Sequence, residues 1–203
     1  TRRSSDLTIA FFSLLVILGE RGHCEDKAPR PVMVIAEHEG NNWEVAGDEI
    51  VLKLSDGKKD YLTNNRCMES NPVLSHDDSI VAFLRSVDSN EDGEVKLDDV
   101  KELWIMRLRN RAETRIAHTL NNPSQPSWHP SSLELAFIAT DPHEGRGLYK
   151  YDFPSRKLSR LTSGAETWPT WSFSGDYIAY YDDKNRVALF SVAGKDVKIL
   201  TND

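Results

Sequence analysis

Residues 88–99, Asp-Ser-Asn-Glu-Asp-Gly-Glu-Val-Lys-Leu-Asp-Asp, crowd oxygen-bearing side chains at the spacing of a calcium loop. Calcium takes six to eight oxygen ligands, and the twelve-residue calcium loop supplies them from positions 1, 3, 5, 7 and 12, with glycine at 6 for the sharp turn. Asp88, Asn90 and Asp92 fall at positions 1, 3 and 5, Gly93 at 6, Glu94 offers its backbone carbonyl at 7, and Asp99 stands at 12. Lys96, at position 9, cannot ligate, so water takes that place. Asp99 in place of glutamate shortens the reach of the last ligand. The expected site is weak, with a dissociation constant of about 0.1–1 mM, a range that serves extracellular modules. The competing interpretation is a solvated acidic turn, because Glu-Asp-Gly-Glu at 91–94 also suits a hairpin.

The flanks settle which elements hold this loop. Ser-Ile-Val-Ala-Phe-Leu-Arg-Ser-Val before it and Glu-Leu-Trp-Ile-Met-Arg-Leu-Arg after it are rich in β-branched and aromatic residues, so strands are predicted on both sides rather than helices.

A repeat explains those strands. Residues 74–83 (LSHDDSIVAF), 128–137 (WHPSSLELAF) and 171–180 (WSFSGDYIAY) align without a gap. Each opens on a large apolar residue (Leu74, Trp128, Trp171), passes a polar turn and closes on apolar-Ala-aromatic. A proline precedes each by two positions, at Pro72, Pro126 and Pro169. A second alternating segment follows each unit, at 103–108, 148–153 and 188–193, and residues 50–63 form an orphan copy of this second half. Phe137 to Tyr180 spans 43 positions but Phe83 to Phe137 spans 54, and the excess of 11 is about the length of the acidic loop. The loop is therefore expected as an insertion between the second and third strands of one repeat.

Four short strands at such a period describe a β-propeller blade, which buries its faces only by stacking on its neighbours. The predicted fold class is all-β: a partial propeller of about three to four four-stranded blades. A β-sandwich with chance similarity between hairpins is the alternative.

With these motifs in view, residues 126–162 and 169–201 resemble the WD-like repeats of TolB-type β-propellers, a resemblance that covers roughly residues 45–203. The family turn of aspartate-glycine is replaced by Asp77-Asp78, Ser131-Ser132 and Ser174-Gly175, and Leu74 stands where tryptophan is usual. The resemblance implies a ring of six to eight blades in an exported protein, used as a protein-binding scaffold or as the gating propeller ahead of a peptidase domain. Residues 32–203 hold fewer than four units once the insertion is set aside, whereas six blades need about 258 residues. The expected organisation is a leader at 1–28 and propeller blades at 29–203, truncated at the C-terminus.

The 203-residue chain has 39% hydrophobic residues and a net charge of −7, with acids and bases interspersed. No basic stripe is available for a phosphate backbone, so nucleic acid is not an expected partner. Arg2 and Arg3 precede an apolar run from Leu7 to Leu18, the pattern of an export signal. Twelve residues rise only ~18 Å as a helix, short of the ~30 Å of a bilayer core. A buried terminal helix is the alternative. Contact with a membrane is expected only through this signal, and the location is periplasmic or extracellular.

Cys24 and Cys67 are the two cysteines and carry no zinc spacing. The histidines, His23, His38, His76, His118, His129 and His143, have no metalloprotease spacing and are expected at the surface. No nucleophile elbow, phosphate-cradling loop or dinucleotide fingerprint occurs. Trp128 and Trp171 recur in phase and are predicted to pack between blades, whereas Trp168 breaks the phase and is a candidate exposed contact. The function expected from sequence is a non-enzymatic scaffold for a protein partner, with a structural calcium loop. The alternative is the N-terminal propeller of a prolyl-oligopeptidase or dipeptidyl-peptidase-type serine peptidase.

Overall fold

A computed structural model describes residues 29–38, 48–65, 67–91, 93, 95 and 99–201. The leader at 1–28, with Cys24 and His23, lies outside the described residues. So do two of the expected calcium ligands, Asp92 and Glu94.

Among the described residues fifteen strands form four antiparallel sheets and no helix occurs. The first sheet has three strands, β1 (Pro31–His38), β2 (Asp48–Leu54) and β3 (Lys59–Tyr61). The second is β4 (Met68–Leu74), β5 (Ile80–Val87), β6 (Val100–Arg107) and β7 (Ala112–Ile116). The third is β8 (Ser127–Trp128), β9 (Glu134–Asp141), β10 (Gly145–Asp152) and β11 (Lys157–Ser163). The fourth is β12 (Ala165–Trp171), β13 (Tyr177–Asp182), β14 (Val187–Ser191) and β15 (Val197–Ile199). Each sheet pairs its strands in chain order, as propeller blades do. The orphan half-repeat at 50–63 is β2 and β3, and β1 joins it in the first sheet.

The repeat is visible in the backbone bonds. Ser75, His129 and Ser172 each donate their amide across the first turn of the blade, to the carbonyls of Ile80, Glu134 and Tyr177. Leu108, Phe153 and Val192 each return one residue after the same turn, to the carbonyls of Ser79, Leu133 and Asp176. Pro72 and Pro169 sit in β4 and β12, which are the edge strands of their sheets, where a missing N–H removes no ladder bond.

Strand alternation sends one set of residues to each neighbour. In β5, Val81 and Phe83 pack on Ile50 and Leu52 of the first sheet, while Ile80, Ala82 and Leu84 pack on Leu135, Phe137 and Ala139 of the third. In β9, Ala136 and Ile138 turn the other way, onto Ile178 and Tyr180 of the fourth. Both faces of β5 and β9 are therefore buried, and both strands read as nearly continuous apolar runs. Truncating a fully buried Phe83 or Phe137 to alanine costs about 3–5 kcal/mol in such a core.

Trp128 and Trp171 are both buried between sheets, as their phase predicts. Trp168 is 41% exposed. It sits in a bulge where the β12–β13 register slips between Thr167 and Thr170, at a φ of +59° that tryptophan rarely adopts. Asn71, also just before a proline, takes the equivalent bulge in β4 with φ +52°.

Candidate functional site

The β5–β6 connection runs from Asp88 to Asp99, whereas β9 and β10 are joined by three residues and β13 and β14 by four. The pairing register measures the insertion. Phe83 faces Trp104, 21 positions on, but the equivalent Phe137 faces Tyr149, 12 positions on. Nine of the eleven extra residues thus lie in this hairpin, and the other two lie in the crossover from the second sheet to the third. A twelve-residue loop needs room that a tight hairpin lacks, and among the second, third and fourth sheets this hairpin alone has it, while nine residues join β1 to β2 in the first.

Asp88 Oδ2 accepts the Gly93 amide at 2.9 Å, with Gly93 at φ +87°, so the chain folds back at position 6 onto the carboxylate at position 1. At the other end, Asp99 Oδ1 accepts from the Ser89 hydroxyl at 3.0 Å and lies nearly buried. Asp99 is thereby held against Ser89, the sequence neighbour of Asp88. Asn90 stands in the same loop. Among the described residues no three acidic, histidine or cysteine side chains converge as a metal site. Asp92 and Glu94 are outside those residues, so the described part of the loop contributes Asp88, Asn90 and Asp99 as oxygen-bearing side chains.

The same end of the sheets shows what an aspartate does there without a metal. Asp141 Oδ1 accepts the His143 and Glu144 amides at 2.8 and 3.0 Å, and these bonds hold its pKa below the ordinary carboxylate value. Asp182 accepts from the Arg186 guanidinium at 2.7 Å and from the Lys184 and Arg186 amides, and Arg186 is the main cause of its lowered pKa. In the second, third and fourth sheets the hairpin at this end opens on an aspartate that accepts backbone amides of its turn.

A polar network that sequence reasoning passed over ties the first two sheets together at this end. Asn65 donates its amide to Glu49 Oε1 at 3.2 Å and its side chain to Glu69 Oε1 at 2.8 Å. Arg85 pairs with Glu69 at 2.6 Å and with Glu113 at 2.7 Å, and its guanidinium lies 4.6 Å over the Trp104 ring. Glu69 is fully buried. The signal was present in the sequence as one arginine inside the apolar run of β5.

Of the histidines, His76, His118 and His143 are exposed as expected. His129 differs: it is half-buried, and its ring meets Trp171 of the next sheet edge-on at 4.6 Å. A turn residue becomes a packing residue here because Gly175 leaves the room; a Cβ there would stand 2.2 Å from His129 Nε2. Cys67 is half-buried, and burial pushes its thiol pKa up.

No family model and no curated relative matches the chain. Solved structures do match. TolB from Acinetobacter baumannii superposes with a TM-score of 0.63 at 16% identity, over 84% of this chain and 41% of that one. The dipeptidyl peptidase 4 of Porphyromonas gingivalis gives 0.58 at 12% identity, over 88% of this chain and 33% of that one. The β-propeller domain of the Trilobed protease from Pyrococcus furiosus gives 0.55 at 14%, over 87% and 59%. The chain spans less than two thirds of each of these proteins. At these identities the likeness shows the fold alone, which is that of β-propeller blades, as the repeat predicts.

Proposed function

We propose that the chain is part of an exported, non-enzymatic β-propeller scaffold, periplasmic or extracellular, that binds a protein partner. Its partner-facing end is the one that carries the Asp88–Asp99 loop. The observation that carries this reading is the length of that loop, twelve residues where the equivalent hairpins of the third and fourth sheets have three and four and that of the first has nine. Loops at one end of a rigid stack of sheets are where such folds place recognition. In this reading Asp88, Asn90, Asp92 and Asp99, with the Glu94 carbonyl, would hold calcium. The ion's role is to neutralise the crowded carboxylates so that the loop keeps one shape.

The outer face of the fourth sheet belongs to the same reading. Ala179 and Tyr181 occupy the positions at which Ala82 and Leu84, and then Ala136 and Ile138, contact the following sheet. Tyr181 is 39% exposed, and Tyr177 beside it is also exposed. This face is built to take a further blade.

A photo-crosslinking residue at exposed Glu91, which is not a ligand position, tests the partner-facing end in the native host. A discrete protein adduct from Glu91, and none from the same probe at Ser174 in the opposite turn, is expected. Equal labelling from both sites contradicts it. The second reading, a propeller ahead of a serine peptidase domain, draws on the likeness to dipeptidyl peptidase 4. A Gly-x-Ser-x-Gly segment followed by aspartate and histidine in the reading frame beyond Asp203 decides for it.

A further inference from the structure

At the end opposite the acidic loop, the second and third sheets part to leave a cavity of about 160 Å3 between their outer hairpins. Its apolar wall is made by Ile105 of β6 with Tyr151 and Phe153 of the β10 hairpin. Its polar rim is Arg107, Arg156 and Thr114. This is the open mouth of the core between the two sheets, since Ile105, Tyr151 and Phe153 all belong to that cluster.

The charge there runs against the molecule as a whole, which carries −7. Strand alternation removes the acids that sit beside the cavity in sequence. Glu113, between the lining residues Ala112 and Thr114, points to the other face of its sheet and pairs with Arg85. Asp152, between Tyr151 and Phe153, turns back to accept the Ser155 amide at 2.9 Å. Among the described residues neither Arg107 nor Arg156 has a carboxylate partner, whereas neighbouring Arg111 is tied to Asp60 and Arg115 to Glu102. The Arg107 guanidinium lies 4.9 Å over the face of the Phe153 ring. That contact positions the group and consumes none of its N–H donors.

We propose that this cavity is a binding site for a carboxylate carried on a small apolar group, the chemistry shared by a free short-chain acid and the C-terminal residue of a peptide. The carboxylate is held at the rim by Arg107 and Arg156, for which guanidinium forks are suited. The apolar group lies against Ile105 and Phe153. The volume fits one residue-sized group and no more. This site stands apart from the acidic loop and does not depend on whether that loop holds calcium.

Calorimetric titration of the whole chain with N-acetyl-leucine and with N-acetyl-leucinamide tests it. The acid is expected to bind in the millimolar range or tighter, and the amide, alike in shape but uncharged, at least tenfold more weakly. Arg107→Gln and Arg156→Gln are each expected to weaken the acid about five- to tenfold. Arg156→Gln leaves the melting temperature unchanged because its side chain is exposed, and Arg107→Gln lowers it only slightly through the lost contact with Phe153. A pentapeptide ending in leucine that binds more tightly than N-acetyl-leucine identifies a peptide terminus as the source, and one that binds more weakly identifies a free acid. Equal binding of acid and amide, no uptake of the acid at 20 mM, or wild-type affinity in both arginine variants overturns the proposal.

Discussion

Trp128 Nε1 donates to the carbonyl oxygen of Val73 at 3.1 Å, tying the third sheet to the second through one indole. Trp171 holds the equivalent position one repeat later, but its Nε1 is buried with no hydrogen-bond partner among the described residues. One tryptophan satisfies its donor and the other does not. Trp128→Phe should therefore destabilise the chain by about 1 kcal/mol or more beyond the cost of Trp171→Phe, since losing the first leaves an acceptor behind and losing the second removes an unmet donor. Denaturant unfolding of both variants measures the difference, and equal losses would show that the repeat equalises the two sites in solution.

Arg85 gives a sharper test of the core. Arg85→Met leaves Glu69 fully buried beside Glu113 with no cation, a loss of about 3–5 kcal/mol for a broken buried pair. Arg85→Met combined with Glu69→Leu should recover much of that loss, because the uncompensated charge is gone. A double variant no more stable than Arg85→Met alone contradicts this account of the network.

Asp182 supplies a pH dependence. Its folded pKa lies below the ordinary value, chiefly through Arg186, so its contribution to stability is present above about pH 4 and is lost as pH falls through the folded value. The wild-type advantage over Asp182→Asn should be complete at pH 7 and shrink progressively below pH 4. Melting curves that keep the two proteins equally far apart at pH 7 and pH 2.5 contradict that sign.

The outer face of the fourth sheet predicts association. An unpaired edge and an exposed aromatic face invite contact between copies. Light scattering should show concentration-dependent growth for this chain and less of it for Tyr181→Glu. A compact monomer at every concentration would mean that the face is covered.

The fold was legible because a propeller repeats its instructions. Pro72 and Pro169 fall on the first strands of the second and fourth sheets and Pro126 just before that of the third. The apolar-Ala-aromatic triplets fall on the second strand of each of these sheets, and the extra spacing between Phe83 and Phe137 marks the inserted hairpin. The polar features were less legible for a physical reason. Arg85 finds Glu113, 28 positions away, only because β5, β6 and β7 lie side by side, and His129 meets Trp171, 42 positions away, only because Gly175 has no side chain. The arginine pair of Arg107 and Arg156 likewise exists only once two sheets stack. Short-range spacing foretold the acidic loop, which is local; of the others only Arg85 left a local mark, as the one charge in the apolar run of β5, and nothing local named its partners.

Calcium binding by the Asp88–Asp99 loop is the central claim and is measured most directly by calorimetric titration of the metal-free chain, with magnesium as control. One site is expected with a dissociation constant of about 0.1–1 mM. A site of ~0.3 mM in ~3 mM calcium then adds about 1.4 kcal/mol of stability. Asp88→Ala should abolish both the heat and the increment while leaving the metal-free melting temperature nearly unchanged. No calcium uptake at millimolar concentration, or uptake that Asp88→Ala leaves intact, would reduce the loop to an acidic turn of the kind that Asp141 and Asp182 already organise.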